Sequence, residues 1–267
     1  MLPRVVRCPL AVMLLALCVA PSRAEDERPR VLFLIGEQEY NTKETLPAFA
    51  DAELTPRGVE CVFVHVDPDD PDNFPGIEQL ADADLLFLSV RRRTLPESQL
   101  AVVRDYLDAG RPMVGIRTAS HPFDRRQPPA EGKADWVLFD DEVLGMDYQG
   151  HYSNKPPGDP PTLVMPVAAE LKHPVMRGIG GAEFPVTSHL YKNRDAAPTV
   201  TILMTGRIKD RGVFEPVAWT NTYHGGRIFY TSLGSPADFE IPQFRTMLTN
   251  AVMWGLGRDG AKPALPE

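Results

Sequence analysis

Cysteine is scarce in this chain, which has three cysteines in 267 residues. Cys8 and Cys18 fall within the first twenty residues, so only Cys61 belongs to the rest of the chain. One cysteine cannot form an internal disulfide, and Cys61 lies in a strand-like apolar run from Val59 to Val64. We therefore expect Cys61 to be buried and to take no part in chemistry.

The chain also has fewer basic than acidic residues and no long apolar segment. Lys and Arg number 28 against 36 Asp and Glu, which gives a net charge of −8 and disfavours nonspecific binding to nucleic acid. No segment reaches 18 consecutive apolar residues, so a membrane span is not expected. The expected partner is a small molecule, and the sequence leaves the oligomeric state open.

The first 24 residues have the pattern of a secretory signal. Arg4 and Arg7 precede an apolar run over residues 8–20, and Ser22 and Ala24 place small residues where a signal peptidase requires them. The run is too short to cross a bilayer. We expect cleavage after Ala24 and a periplasmic or extracellular protein, made of one domain over residues 25–257 and a C-terminal tail over residues 258–267.

Strand and helix patterns alternate through the first half of that domain. The predicted strands cover residues 30–35, 59–65, 83–88 and 112–116, and the predicted helices cover residues 41–57 and 96–109. Nearly continuous apolar runs such as Val31 to Ile35 are typical of strands buried on both faces. The sequence therefore predicts an α/β fold with a mostly parallel sheet and helices on both faces.

The second half of the domain has a different pattern. Proline pairs interrupt residues 122–198, which predicts loops, short strands and a small helix over the rim of the sheet. Strands are predicted again at residues 200–204, 217–220 and 228–233, with a hairpin turn at residues 224–227. A last helix is predicted from Pro242 to Leu256.

Polar side chains follow the predicted strands, where an open parallel sheet has its ligand crevice. The acid–base candidates are His121, His151 and Asp238, and the substrate-binding candidates are Glu37, Tyr40, Arg91, Arg117, Ser120, Tyr152 and Tyr191. Histidine with a carboxylate partner suits proton transfer near neutral pH, and tyrosine rings suit stacking against sugars. Metal binding, hydrogen bonding and packing stay open for the histidines, but no HExxH spacing supports a metal, so no metal ligand is assigned and the cofactor is unknown.

Arg117 occupies the turn after the fourth strand. A guanidinium there favours an anionic or polyhydroxylated ligand, and the alternative is an ion pair with an acid such as Glu37. Of the three arginines at residues 91–93, we expect one to point inward. The sequence has neither a Gly-x-Ser-x-Gly elbow nor a complete phosphate loop, which disfavours an ordinary serine hydrolase and a P-loop enzyme.

An ordered set of motifs resembles the trehalose-utilisation, or ThuA-like, family. The motifs are Gly115–Phe123, Gly145–Tyr152, His173–Gly178, Pro216–Trp219 and Gly226–Gly234. The resemblance implies a flavodoxin-like fold of the class I glutamine amidotransferase type and a role in disaccharide or related sugar metabolism. It implies no amidotransferase activity, because Arg117 stands where that superfamily has its nucleophilic cysteine. Two functions stay open: a sugar-processing enzyme using His/Asp acid–base chemistry, and a noncatalytic carbohydrate-binding or accessory module.

Overall fold

The structure is a computed structural model that describes residues 28–154, 156–209 and 211–259. The predicted signal segment over residues 1–24 lies outside the described residues, as do residues 260–267 of the predicted tail.

The main feature of the fold is a nine-stranded sheet. Its strands are β1 (Arg30–Gly36), β2 (Glu60–His65), β3 (Leu85–Val90), β5 (Met113–Ile116), β8 (Thr162–Pro166), β9 (Phe184–Val186), β11 (Thr201–Ile208), β12 (Val213–Tyr223) and β13 (Gly226–Thr231). Their order in the sheet is β2-β1-β3-β5-β13-β12-β11-β8-β9. The first five strands in the sheet order run parallel, and the last four pair in antiparallel fashion. The predicted mostly parallel sheet is confirmed, and an antiparallel extension is added to it.

Helices cover both faces of the sheet, as the sequence predicted. They are α1 (Thr42–Phe49), α2 (Glu97–Asp108) and α3 (Pro242–Gly255). Val31 and Phe33 of β1 lie in one core with α1 and α3, whereas Leu32 and Leu34 lie in a second core with α2. This two-sided burial explains the continuous apolar run of β1, since both of its faces exclude water.

The predicted helix over residues 41–57 is divided into three parts. Helix α1 continues into a π-helical turn, Ala50–Leu54, and a short 3-10 turn, Thr55–Arg57. Gly58 ends the segment in the left-handed conformation, at φ 76°. A positive φ costs glycine little because it has no side chain, so the chain can turn directly into β2.

The proline-rich middle of the chain forms two small sheets beside the large one. β4 (Leu95–Pro96) pairs with β6 (Lys133–Ala134), and β7 (Asp147–His151) pairs with β10 (Tyr191–Arg194). The middle also supplies β8 and β9 to the large sheet, which the sequence analysis did not foresee. The β7/β10 sheet lies over the functional rim.

Cys61 lies on β2 and is half-buried against the core. Burial raises the pKa of its thiol to about 12, and the nearby acids Asp51 and Glu60 add to the shift. A thiol with so high a pKa is protonated at neutral pH and is a poor nucleophile.

Candidate functional site

The centre of the site is the turn that follows β5. Arg117 has a φ of 47°, a left-handed conformation that is uncommon for residues other than glycine. Two side chains hold its carbonyl: the Tyr230 hydroxyl donates to it at 2.6 Å, and the Ser120 hydroxyl donates at 3.3 Å. The tight turn therefore lies directly after β5, as predicted from the sequence, and Arg117 is at its apex.

The Arg117 side chain is completely buried between two aromatic rings. Its guanidinium carbon lies 4.3 Å from the ring centre of Tyr40 and 4.5 Å from that of Tyr191. Nη1 donates to the carbonyls of Ser232, at 2.6 Å, and His189, at 3.2 Å. Burial lowers the pKa of Arg117, but Tyr191, Tyr40 and Asp238 more than offset this effect and raise it, so the group is cationic.

His121 is almost completely buried, four residues beyond Arg117 in the chain. Its Nδ1 lies 3.0 Å from the Ser120 hydroxyl, and its ring stacks on Tyr148 with 4.4 Å between ring centres. Burial holds the pKa of His121 well below its ordinary value of 6.5, and nearby positive charges lower it further. Those charges belong to Arg92, Arg91, Arg126 and Arg117. The imidazole is therefore neutral at physiological pH.

Tyr191 connects the other members of the site. Its ring centre lies 4.7 Å from Tyr148, 6.2 Å from His151 and 6.4 Å from His121. The β7/β10 pairing sets these contacts, because Tyr191 pairs with His151 in the register. We refer to Tyr148, Tyr191, His121 and His151 together as the aromatic wall.

The His121 end of the aromatic wall borders a cavity of about 290 Å³. The polar groups around this cavity include Arg92, Arg126, Asp124 and Asp140. Arg92 is held in place because its Nη1 donates to the carbonyl of Asp124 at 3.1 Å. The space is large enough for a sugar ring.

Tyr148 and Asp140 also border the cavity, although neither was predicted from the sequence as a site residue. Tyr148 lies three positions before His151, and a register irregularity in the β7/β10 sheet lets both side chains approach Tyr191. Asp140 accepts the backbone N–H of Tyr148 at 2.9 Å, which ties it to the same strand. The motif at residues 145–152 includes Tyr148 but not Asp140, and local spacing alone does not reveal the contacts of either residue.

Asp238 is close to Arg117 but its carboxylate is already fully used. Oδ1 accepts the backbone N–H of Thr187 at 2.8 Å and its hydroxyl at 2.9 Å. Oδ2 accepts the Ser188 hydroxyl and the backbone N–H groups of Gly234, at 3.1 Å, and Ser235, at 3.2 Å. The described hydrogen bonds of Asp238 include none to His121 or His151, so the structure does not bring the three together.

Glu37 has a similar structural role in the loop after β1. It accepts the backbone N–H groups of Glu39, Tyr40 and Thr42 at 2.7–2.8 Å, and the Thr42 hydroxyl at 2.6 Å. Both carboxylate oxygens are therefore used within the loop that carries Tyr40. The alternative pairing of Arg117 with Glu37 is not present.

Arg91 and Tyr152 are each bound to an acidic side chain of the protein. Arg91 forms an ion pair with Glu39 at 2.8 Å, and the Tyr152 hydroxyl donates to Glu215 at 2.8 Å. Of the three consecutive arginines, Arg92 is the one that borders the cavity, while Arg93 Nε donates to the Gly36 carbonyl at 3.1 Å.

The described residues contain neither a cluster of metal-ligating side chains nor a helix that could span a membrane. No three His, Cys, Asp or Glu side chains in that part of the chain are grouped as metal ligands. Nor does any helix within it combine the length and apolar character needed to cross a bilayer.

Residues 30–255 match the ThuA family, described as "Trehalose utilisation". The chain belongs to this family. Membership supports a role in trehalose utilisation at the level of the family, and the resemblance predicted from the motifs is confirmed. No match is found among curated proteins.

Solved structures with the same fold include a ThuA-like protein. A ThuA-like protein from Parabacteroides merdae has a TM-score of 0.62 at 15% identity, with 86% of this chain and 90% of that chain covered. A cytoplasmic protein from Salmonella typhimurium has a TM-score of 0.54 at 15% identity, with 87% and 99% covered. A β-galactosidase from Rahnella sp. R3 has a TM-score of 0.53 at 13% identity, with 86% of this chain but 31% of the enzyme covered. At these identities the likeness shows the fold alone.

Proposed function

We propose that this ThuA-family protein binds a sugar or sugar derivative against the aromatic wall and acts on it by acid–base chemistry, with His121 as the proton-transferring group. The family's role in trehalose utilisation and the cavity beside the wall support the sugar as ligand. Tyrosine rings provide the flat apolar faces on which sugar rings stack.

The observation that carries the proposal is the state of His121. The Ser120 hydroxyl engages Nδ1, and Nε2 has no hydrogen-bond partner among the described residues. Because the imidazole is neutral, its second nitrogen can accept a proton from a sugar hydroxyl or from water. Arg92 and Arg126, which border the cavity, would stabilise the negative charge that develops on the substrate oxygen.

A second candidate is the noncatalytic carbohydrate-binding module. The observation that favours it is the engagement of Asp238, because the expected His/Asp pair is not formed. A histidine without a carboxylate partner is a weaker base once the proton has been transferred, since nothing stabilises the imidazolium. Both the enzyme and the binding module would bind the sugar, but only the enzyme would turn it over.

Substitution of His121 distinguishes them. We expect His121→Asn to lower turnover by about 10²-fold or more, the usual size of a general acid–base contribution, while the protein stays folded. The substrates to test are trehalose and its oxidised derivatives, after a thermal-shift screen selects the sugar that stabilises the protein most. His224→Asn is the matched control, because His224 lies in the exposed turn between β12 and β13.

The control variant should keep the activity of the parent protein. Sugar binding without turnover in the parent protein would favour the binding module. Unchanged turnover in His121→Asn would remove His121 from the chemistry.

A further inference from the structure

The Arg117 guanidinium has an unused pair of donors inside the protein. Nε and Nη2 are both buried and neither has a hydrogen-bond partner in the described part of the chain. Nη1, by contrast, is held by the Ser232 and His189 carbonyls. The Tyr40 hydroxyl approaches the guanidinium closely enough to affect its pKa, but not in hydrogen-bonding geometry to Nε or Nη2. Unmet buried donors on a charged group are costly, so their retention requires an explanation.

The missing acceptor is not supplied by the acids nearby. Asp238 uses both oxygens for Thr187, Ser188 and the Gly234–Ser235 backbone. Glu37 uses both oxygens within its own loop. Arg117 is therefore a buried cation with no carboxylate hydrogen-bonded to it among the described residues, and Nε and Nη2 are left without an acceptor.

The geometry of the unused donors indicates what would pair with them. Nε and Nη2 lie on one edge of the planar guanidinium, and their two N–H groups point in the same direction. This edge matches two oxygens bonded to one carbon or phosphorus atom, as in a carboxylate or a phosphate. The Tyr40 and Tyr191 rings lie over the guanidinium and restrict the acceptor to the guanidinium edge. Tyr40 is the half-buried one of the two, so a ligand would arrive from its side.

We propose that the ligand of this site carries an anionic two-oxygen group, a carboxylate or a phosphate, which Nε and Nη2 of Arg117 bind together. This inference rests on the proposed sugar function and narrows it to acidic or phosphorylated sugars.

The test compares three sugars that differ in charge. Binding of glucose, glucuronate and glucose 6-phosphate to the full chain is measured by calorimetry, with acetate and inorganic phosphate as minimal anions. We expect glucuronate or glucose 6-phosphate to bind at least ~10-fold more tightly than glucose, the effect of one charge-assisted two-bond contact, and their order identifies the anion. Arg117→Lys should abolish most of this preference because lysine keeps the charge but lacks the planar fork of donors. Arg245→Lys should keep the preference, because Arg245 lies on α3 and pairs with Glu53 away from Arg117.

A second measurement on the unsubstituted protein covers the case in which Arg117→Lys does not fold. The Nε–H resonance of Arg117 can be assigned in an NMR spectrum through its contacts with the Tyr40 and Tyr191 rings. Binding of the preferred anion should shift this resonance, since the N–H gains an acceptor.

The outcomes separate this inference from the proposed function. Glucose binding as tightly as both anionic sugars, or anionic sugars binding without moving the Arg117 resonance, would overturn the anion inference and leave the sugar function standing. Acetate or phosphate moving the resonance while no sugar binds would support the anion site and overturn the sugar function. A resonance that no anion moves would overturn the inference, and the glucose arm would then decide the sugar function alone.

Discussion

At the scale of single residues, environment rather than residue type decides what each candidate can do. Asp238 and His121 were predicted as partners, yet Asp238 is saturated by five donors and His121 is held neutral by burial and arginine charges. Asp140, which the sequence analysis did not select, lies at the cavity with a carboxyl pKa raised to about 6 by burial.

The raised pKa of Asp140 predicts a specific pH dependence of stability. Its ordinary pKa is 3.8, so between about pH 4 and pH 6 the folded protein binds more protons than the unfolded chain. The free energy of unfolding should therefore fall as the pH rises through this range, and Asp140→Asn should remove that part of the slope. Urea denaturation of both proteins at pH 4.5 and 6.5 measures the difference. Parallel pH dependence in the two proteins would contradict the raised pKa.

At the scale of elements, the site depends on the small β7/β10 sheet, which lies beside the nine-stranded sheet. The β7/β10 sheet presents Tyr148, His151 and Tyr191, and Glu215 of β12 holds it in place. The buried carboxylate of Glu215 accepts the Tyr152 hydroxyl at 2.8 Å, the backbone N–H of Asn193 at 3.2 Å and the Arg194 guanidinium. Tyr152, predicted to bind substrate, is therefore an anchor of the wall in this structure.

Removal of this anchor should affect ligand binding from a distance. We expect Glu215→Ala to cost about 1–3 kcal/mol of stability, the penalty for leaving buried donors unsatisfied, and to weaken sugar binding although Glu215 does not border the cavity. Glu183→Ala is the control, because Glu183 pairs with Arg207 at the surface and should cost less than about 1 kcal/mol. Denaturation and calorimetry measure both effects. Full affinity in Glu215→Ala would show that the wall does not need this anchor.

The elements that local patterns determine were predicted well, and those that depend on distant pairing were not. α2 and α3 lie within one residue of their predicted bounds, because their apolar spacing and end signals are local. Short strands were predicted in the proline-rich middle, but not that β8 and β9 join the large sheet, because β8 pairs with β11, about 40 residues later in the chain. The same holds for the site: the turn at Arg117 follows from strand order, whereas the Tyr191 contacts depend on the register between β7 and β10.

At the scale of the whole molecule, an acidic protein brings arginines and aspartates together at one rim. The net charge of the chain is −8, yet four arginines act on His121. Arg91 and Arg92 are ion-paired with Glu39 and Asp124, so part of this positive charge is balanced locally.

We also propose that the protein is exported, with Glu25 as the mature N-terminus. Residues 1–24 combine a basic start, a short apolar run and small residues before the cleavage point. Mass spectrometry of the exported chain should give the mass of residues 25–267. Retention of residues 1–24, or a lipid on Cys18, would contradict the proposal.

The central claim is that a sugar derivative binds against the aromatic wall. The most direct test is a crystal structure of the protein with the sugar that stabilises it most in the thermal-shift screen. We expect a sugar ring within about 4 Å of the Tyr148 ring, which borders the cavity, with a sugar oxygen at hydrogen-bond distance from His121 Nε2. A sugar bound instead in the crevice bordered by Gln38, Lys43 and His65, with the aromatic wall unoccupied, would contradict it.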